Sequence, residues 1–377
     1  MTAKRNGNAV DEPRILMFSE RNIHEREVWR CSFHEFEGML QQIDSVDLLA
    51  PTPRKWYRYG MSVACRLGEH LAIPINSGIP KIKLDRDYDL FLAVCQRPSE
   101  LLHLSPLKGW RSRCKTAFCW LVEFYVKDMS SYKSCLEILS HFDHVLFMFN
   151  TSEPFHKILR AQGHYLPAGI DALGFCPYPN PPKRSIDVLS IGRRSEHTHQ
   201  ALLRAARRAE IFYVYDTIDH TRAYDLEEHR LLVANLAKRS RYFIVNPSLV
   251  NAPHESGGQI EFGYRYFEAA APGTLMIGER AKNKEFDRIF HWDDAVIDLP
   301  FGSDQIVDVM REFDKQPERQ MRMRRTNMIQ TLLHHDWVYR WEAVLSMAGL
   351  PPLPGLLKRK ERLRELSTVV AAAQIEP

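Results

Sequence analysis

Short apolar runs alternate with helical patterns along most of this chain, and this alternation constrains the fold more than any other feature. The run Arg14–Ser19 is followed by residues 25–43, whose apolar positions recur with helical spacing. Further runs that predict strands begin at Val46, Tyr88, Lys115 and His144. Strands that alternate with helices favour a mostly parallel sheet covered on both faces. The first part of the chain therefore predicts one doubly wound α/β domain.

A proline-rich connector interrupts this alternation once. Residues 176–184 hold four prolines in nine positions, a composition typical of a stiff extended segment. Beyond it the alternation restarts, with predicted helices at 197–209 and 226–238 and apolar runs that begin at Ile186, Ile211, Tyr242, Thr274 and Ala295. The sequence predicts an α/β protein of two doubly wound, Rossmann-like domains that face a central cleft. The predicted boundaries are 1–175 and 176–345, with a helical tail at 346–377.

Composition indicates a water-soluble, reduced protein. The 377 residues are 45% hydrophobic and 26% charged, which suits two ordinary domains, and no run approaches the roughly 18 apolar residues of a membrane span. The polar start Met1–Asn8 lacks the apolar segment of a signal peptide, so we expect a cytoplasmic location. The seven cysteines contain no Cys-x-x-Cys pair, which favours buried thiols over a zinc site or disulfides.

Charge gives no general reason to expect a nucleic-acid partner, since the net charge is only +4. Lys and Arg cluster at 311–325 and at 358–364. We interpret both clusters as solvated helix faces, with a peripheral contact to anionic lipid headgroups as the alternative. The second cluster lies in the tail, where a proline spacer precedes a short basic amphipathic helix. We expect that helix to pack on the first domain or on a partner.

Polar and glycine-containing loops follow the predicted strands of the second domain. Gly192, Arg193 and Arg194 follow its first strand, Asn246 follows its third, and Gly257 with Gly258 leads toward Glu261. Ligands of open α/β sheets bind beyond the carboxyl ends of the strands. Arginines can bind phosphate oxygens in a bidentate manner, and a helix start exposes N–H groups to an anion. These loops predict a diphosphate pocket.

Two carboxylates open and close the next predicted helix. Glu261 and Glu268 are seven positions apart, which is two turns of a helix, so both side chains can point the same way. A Pro-Gly turn then ends the helix before an apolar strand. The pair predicts two hydrogen-bond acceptors over one cleft, and two solvated glutamates on an amphipathic helix are the alternative.

Four segments carry a family resemblance that runs from about 165 to 345. They are Tyr165–Pro177 with its Pro-x-Gly-Ile-Asp, Asp187–Arg193 with its Gly-Arg, Arg265–Gly273 reading Arg-x-Phe-Glu-Ala-x-Ala-x-Gly, and His335–Arg340. In this order they resemble GT-B glycosyltransferases, in particular the spore-maturation (CgeB-like) branch related to glycosyltransferase family 4. The first 160 residues match this pattern weakly.

The resemblance implies a retaining, hexosyltransferase-like enzyme of bacterial-type glycan biosynthesis. Its donor would be a nucleotide-diphosphate sugar held by the second domain, and its acceptor an unknown saccharide, lipid or protein bound by the first. Glu268 would bind the ribose, and Arg193, with Arg194, would neutralise the diphosphate. The other donor-binding residues would be Gly257, Gly258, Asn246, Tyr264 and Arg265. No cofactor or metal is expected, because arginines can stabilise the leaving diphosphate.

The chain departs from the family at the first glutamate. Family 4 members place seven residues between the two glutamates, whereas six separate Glu261 from Glu268. Either a one-residue shortening keeps Glu261 in the pocket, or that role has been lost. In the first case Glu261 is a catalytic candidate beside Glu20 and Glu123, two carboxylates near predicted strand ends of the first domain. Glu20 and Glu123 could instead take no part in catalysis. Glu20 would then be a neighbour of a helix cap, and Glu123 a carboxylate at a sheet edge whose hydrogen bonds are satisfied.

Two other functions fit a pair of doubly wound domains. A catalytically degenerate GT-B-like protein could bind a nucleotide or nucleotide sugar without turnover, and the displaced Glu261 and the glycine-poor loop at Glu20 fit that hypothesis. A sugar-nucleotide epimerase would need carboxylates and histidines on both cleft walls. Arg193 and Arg194 favour transfer over epimerisation.

Overall fold

Six parallel strands form the first sheet of the computed structural model, which describes residues 12–24, 26–57, 59–64, 75–132, 137–155, 162–217 and 222–376. They are β1 Ile15–Phe18, β2 Val46–Leu49, β4 Tyr88–Cys95, β6 Cys114–Leu121, β7 His144–Phe147 and β8 Gln162–Tyr165, in the order β2-β1-β4-β6-β7-β8. Ile15 pairs with Val46 on one side and with Leu90 on the other. Two short strands, β3 Ile82–Lys83 and β5 Leu107–Lys108, pair apart from this sheet.

A second parallel sheet follows the proline-rich connector. Its strands are β9 Ile186–Ser190, β10 Tyr213–Tyr215, β11 Ser240–Ile244, β12 Leu275–Gly278 and β13 Ile297–Asp298, in the order β10-β9-β11-β12-β13. In both sheets the chain adds its second strand on one side of the first strand and then crosses to the other side. The strand order thus reverses between β1 and β4 and between β9 and β11, where open α/β sheets place their ligands.

Helices surround the two sheets. They are α1 Cys31–Ile43, α2 Ser152–Phe155, α3 Ala172–Phe175, α4 Glu196–Arg207, α5 Leu226–Lys238, α6 Pro253–Ser256, α7 Tyr264–Ala270, α8 Lys284–Ile289, α9 Ile306–Asp314, α10 Pro317–His334, α11 Trp337–Met347 and α12 Pro354–Ala372. Short 3-10 helices span Val28–Arg30, Pro98–Leu104, Trp110–Arg113 and Val126–Ser131.

Local sequence explains where several helices begin. The Asp225 carboxylate accepts the backbone N–H of Glu228 at the start of α5. Asn283 accepts the N–H of Phe286 at the start of α8 in the same way. These side chains satisfy N–H groups that the first helical turn leaves without a partner.

The predicted fold class is confirmed, since both sheets are parallel and doubly wound. Two details differ from expectation. The first helix begins at Cys31 rather than at residue 25, after a 3-10 turn. Glu261 lies before α7 and forms an isolated bridge with Ser248, so Glu261 and Glu268 do not share a helix.

One hydrophobic cluster joins the two sheets. It contains Leu90 and Phe118 of the first sheet, Phe243 of the second, and the buried Trp337 and Trp341 of α11. Apolar side chains from both domains therefore leave water together, which stabilises their contact. The domain boundaries at 175 and 345 stay predictions, because the shared core does not mark where one unit ends.

The tail forms helix α12, which packs on α10 of the second domain and reaches α1 of the first. Leu356, Leu363 and Val370, one on every second turn, are fully buried. At its start, Gly355 lies so close to the Ile43 backbone that a Cβ would come within 2.8 Å of it. None of the described helices is long and apolar enough to cross a bilayer.

Several residues of the two basic clusters pair with acidic side chains. In the first cluster, Arg311 bonds Glu210, and Arg319 bonds Asp294. Arg324 is fully buried and donates to the Gly273 carbonyl. In the tail, Lys360 pairs with Glu342. The exposed ion pairs fit the predicted solvated helix faces, whereas the buried Arg324 does not, and the lipid contact stays a prediction.

All five described cysteines, Cys31, Cys95, Cys114, Cys119 and Cys176, are buried and unbridged. This agrees with the predicted buried thiols, while Cys65 and Cys135 lie outside the described residues.

Candidate functional site

An open cleft of about 520 Å³ lies between the carboxyl ends of the two sheets. From the first domain it is lined by Arg97, Pro98, Glu123, Tyr125, Lys127, Asp128 and Tyr132, and from the second by Ile191, Gly192, Arg193, Ile244, Asn246, Pro247, Ser248, Leu249, Glu255, Gly263 and Arg265. The second-domain residues come from the loop after β9 and from the segment between the end of β11 and the start of α7, at the reversal of strand order. The cleft thus occupies the position that the topology predicts.

Two arginines line the second-domain wall. Arg193 follows β9 and donates to the Asn251 side chain at 3.2 Å. Arg265, on α7, donates from Nε to the Ile191 carbonyl at 3.1 Å. Gly192 lies between them with a φ of 86°, and its N–H donates to Asp216. This backbone conformation favours glycine and lets the loop pass close to the Arg265 guanidinium.

Glu123 lies on the opposite wall, beyond the end of β6. Its backbone N–H donates to the Gln96 carbonyl at 2.7 Å, and its carboxylate lies 3.7 Å from the Arg97 guanidinium. Burial raises the pKa of the half-buried Glu123 carboxyl, and the Arg97 charge opposes part of that rise. A carboxyl with a raised pKa beside a cationic cleft is suited to proton transfer.

Direct contacts join the two domains around Lys127, which lines the cleft. The Val126 N–H donates to the Gln259 side chain at 3.0 Å, and Lys127 donates to the His254 carbonyl at 3.3 Å. Lys127 also packs on Gly257, where a Cβ would meet its side chain at 3.1 Å. The two walls are therefore held within reach of a single ligand.

Four of the predicted site residues reach the cleft: Glu123, Arg193, Asn246 and Arg265. Arg194 turns away from it, donating to the Asp216 carbonyl at 2.6 Å and lying over the Tyr215 ring. Tyr264 packs its ring against Phe33 and Trp337 at the junction of the domains. Neither Arg194 nor Tyr264 lines the cleft, and their contacts with a nucleotide sugar stay predictions.

The expectation that Gly257 and Gly258 open an anion-binding helix is wrong. Both have positive φ values and end the short helix α6, which finishes at Ser256. The next helix, α7, begins at Tyr264. Left-handed glycines are typical of helix C-termini, so the pair shapes a turn instead of presenting a helix start.

Glu261 is buried outside the cleft. Its Oε1 accepts the Asn150 N–H at 2.8 Å and the Gln259 side chain at 2.7 Å. Burial raises the pKa of this carboxyl to about 7, against the opposing effect of these hydrogen bonds. Glu261 therefore ties a loop of the first domain to the second domain, and the expectation that it faces the cleft beside Glu268 is wrong.

Glu268 is also buried, at 1% exposure, behind the cleft wall. Its two carboxylate oxygens accept from Arg230 and Arg265 respectively. Burial alone would raise its pKa, but the charges of Arg265 and Arg230 hold it below its ordinary value. The ribose contact expected of Glu268 stays a prediction, and its observed partners are guanidinium groups.

Glu20 lies at the end of β1 in a fully buried polar group. Its Oε1 lies 2.6 Å from His103 Nδ1, and its Oε2 lies 3.4 Å from the Arg30 guanidinium. Glu20, His24 and Glu100 bring three potential ligand atoms within 4.8 Å of one another. Arg30 lies against both carboxylates, so the chain itself supplies a positive charge there. Burial raises the Glu20 pKa.

Sequence reasoning missed Arg97, Lys127 and Gly263. Arg97 could have been found, because it follows the last residues of β4, where the strand-end rule also applies to the first domain. Lys127 lies on the 3-10 helix Val126–Ser131 and Gly263 directly before α7, and neither position has a comparable sequence signal.

The fold and the cleft define a two-domain protein of the GT-B class. A solved α-glucosyltransferase in complex with UDP and a mismatched DNA has a TM-score of 0.52 and 11% identity, covering 89% of this chain and 99% of the other. An α-glucosyltransferase with UDP-glucose and abasic DNA has a TM-score of 0.51 and 10% identity, covering 90% and 99%. Anabaena HepE in complex with UDP-glucose is also similar, at a TM-score of 0.44 and 10% identity over 94% and 99%.

Residues 194–346 match a family model described as glycosyl transferase-like. That stretch begins just after Arg193 and contains Arg265 and Glu268, so it covers most of the second-domain wall. No protein of curated function matches the sequence. The second domain is thus similar to glycosyl transferase-like domains, within a GT-B fold.

Proposed function

We propose that the chain is a glycosyltransferase that binds a UDP-sugar in the cleft and transfers the sugar to an acceptor held by the first domain. The placement of Arg193 and Arg265 beside Gly192, at the strand reversal of the second sheet and opposite Glu123, carries this proposal. UDP or UDP-glucose is bound in the similar solved structures, which makes uridine the first base to test.

The chemistry requires that the bond between the anomeric carbon and the diphosphate oxygen break while a bond to the acceptor oxygen forms. Negative charge then grows on the departing diphosphate, and the guanidinium groups of Arg193 and Arg265 can stabilise it without a metal. The acceptor hydroxyl must lose its proton, and we assign Glu123 as the proton acceptor. We further propose that the anomeric configuration is retained, which requires the acceptor oxygen to approach from the face that the diphosphate leaves, with Glu123 taking its proton on that same face. The family 4 (CgeB-like) relationship and hexosyl specificity are parts of the same proposal.

Calorimetry with UDP and GDP, followed by turnover with a panel of nucleotide sugars, tests this function. We expect Arg193→Ala and Arg265→Ala each to weaken UDP binding, because each removes a charge-assisted contact to phosphate. Arg208→Ala is the matched control, since Arg208 is an exposed arginine of the same domain whose partner is Glu210. Equal UDP affinity in all three variants would place the diphosphate elsewhere.

A nucleotide-binding protein without turnover is the second candidate. The position of Glu261 favours it, because this counterpart of a family carboxylate is held by Asn150 and Gln259 outside the cleft. UDP binding without transfer or hydrolysis of any sugar in the panel would support this candidate over the enzyme.

The acceptor class needs its own screen, with saccharide, lipid and protein arms. Both neighbours with a TM-score above 0.5 were solved with DNA, so a DNA arm belongs in the screen even though the net charge of +4 predicts no nucleic-acid partner. A cytoplasmic role in bacterial-type glycan biosynthesis predicts a saccharide or lipid-linked acceptor. Transfer to DNA would overturn that expectation.

A further inference from the structure

We infer that Glu268 is a positioning residue, which fixes the cleft residue Arg265 for diphosphate binding and links it through Arg230 to Glu35 of the first domain. This inference rests on the proposed function, because it assigns Arg265 to the phosphate-binding wall. It gives Glu268 a role different from the ribose contact that the family resemblance implies.

Arg265 is held on two edges. Its Nε donates to the Ile191 carbonyl at 3.1 Å, and its Nη1 donates to Glu268. A Cβ on Gly192 would lie 3.6 Å from its Nη2, so that nitrogen faces the glycine of the loop that carries Arg193. The guanidinium is therefore oriented before any ligand arrives, which reduces the entropy lost on binding.

Glu268 is poorly placed to contact a ligand. Its side chain is 2% exposed, whereas that of Arg265 is 34% exposed. Each of its oxygens already accepts from a guanidinium group. Arg265 lines the cleft and Glu268 does not, so a ribose contact would require Glu268 to move, whereas orienting Arg265 requires no movement.

Arg230 extends the ion pairs away from the cleft. It lies on α5, donates from Nη1 to Glu268, and donates from Nε to Glu35 of α1 at 2.8 Å. Its guanidinium also lies 4.7 Å from the Phe175 ring. Because buried charges are costly without partners, the Glu35, Arg230 and Glu268 side chains hold one another in place.

Glu35 connects this series to the rest of the domain junction. Its Oε1 accepts the Asp171 N–H and the Trp337 indole N–H, each at 2.7 Å. Glu35, Arg230, Glu268 and Arg265 thus form a chain of alternating charges from α1 to the cleft wall. Through this chain of ion pairs, the orientation of Arg265 depends on residues of both domains.

Binding measurements on a double-mutant cycle test the inference. We expect Glu268→Gln, which keeps the side-chain shape but removes the charge, to weaken UDP affinity about tenfold. In an Arg265→Ala background the same change should have little effect, because the residue through which it acts is gone. The preference of the protein for UDP over 2′,3′-dideoxy-UDP should stay the same in Glu268→Gln. Glu228→Gln, an exposed carboxylate on α5, is the matched control.

Glu268→Asp provides a second test in case Glu268→Gln does not fold. It keeps the charge but shortens the side chain, so we expect it to fold and to lose part of the UDP affinity by displacing Arg265. Two results together would overturn the inference in favour of a ribose contact. Glu268→Gln would reduce UDP affinity equally with and without Arg265, and it would abolish the preference for UDP over 2′,3′-dideoxy-UDP. A wild-type protein that binds no UDP would instead overturn the proposed UDP-sugar function itself.

Discussion

Glu261 and Glu268 are buried carboxylates seven positions apart whose surroundings shift their pKa values in opposite directions. Glu268 faces two arginines and stays ionised, whereas Glu261 receives an amide and a backbone N–H, with no guanidinium among its hydrogen-bond donors. Burial therefore dominates at Glu261 and raises its pKa to about 7. The hydrogen-bond partners of each glutamate, and not the residue type, therefore decide whether its carboxyl is ionised.

Glu261→Gln should change how stability depends on pH. The Glu261 pKa rises from 4.5 to about 7 on folding, so between these values the folded state keeps a proton that the unfolded state releases. Stability therefore falls as pH rises through this window, by on the order of 3 kcal/mol. Glutamine does not ionise, so urea titrations at pH 4.5 and 8 should show a smaller decline in the variant than in the wild type.

Glu228→Gln controls this experiment, because it also removes one carboxylate but at an exposed position. A pH dependence as steep in Glu261→Gln as in the wild type would mean that Glu261 is not the buried group responsible. Glu100, whose pKa burial also raises to about 7, would then be the next to replace.

Glu123→Gln should separate binding from turnover. If Glu123 accepts the acceptor proton, the variant should bind UDP as the wild type does while kcat falls by about 10²- to 10⁴-fold. The wild-type rate should rise with pH through an inflection above the ordinary carboxyl value of 4.5, because burial raises the Glu123 pKa and the ionised form is the base. Glu20→Gln is the comparison, since Glu20 is fully buried and outside the cleft. Loss of UDP affinity in Glu123→Gln would assign Glu123 to binding.

At the scale of elements, the strands were the most predictable part of the chain. Tyr88–Cys95 is a strand over the predicted residues, because a strand buried on both faces needs a continuous apolar run. The edge strand β8, Gln162–Tyr165, was missed because its Gln-Gly-His-Tyr sequence carries no such run. The helix at Glu261 was predicted to begin too early. Gly257 and Gly258 form a turn and Gly263 is extended just before α7, and the spacing of the two carboxylates gives no sign of either.

Gly278, the last residue of β12, should tolerate no side chain. Its φ is 145°, and a Cβ would lie 1.9 Å from the carbonyl oxygen of Val245, the residue that follows the neighbouring strand β11. Because the obstacle is backbone, Gly278→Ala must shift one strand against the other, and we expect a loss of about 2–4 kcal/mol in unfolding free energy. Gly302→Ala is the control, since nothing lies within 4 Å of its Cβ position. Equal urea midpoints for the two variants would contradict the packing described for β11 and β12.

At the scale of the molecule, the two domains and the cleft between them could be predicted, but the contacts that join the domains could not. Arg230 lies 195 positions from Glu35 and 38 from Glu268. In a single sequence each of these residues looks like an ordinary charge on a helix. Their pairing depends on how α1, α5 and α7 pack, which is decided by the shared core and not by local pattern.

Glu35→Ala should lower the unfolding free energy of the protein by more than the loss of a single ion pair would. The change removes the acceptor of three donors at once: the Arg230 guanidinium, the Asp171 N–H and the Trp337 indole. Removing one partner of a buried ion pair costs about 3–5 kcal/mol, because the remaining charge stays buried. We therefore expect a lower urea midpoint, and a single transition in the wild type because one core joins both domains. Glu35→Gln keeps an oxygen acceptor and should lose less. If Glu35→Ala and Glu35→Gln were equally stable, the hydrogen bonds to Asp171 and Trp337 would contribute nothing, and the junction would depend on charge alone.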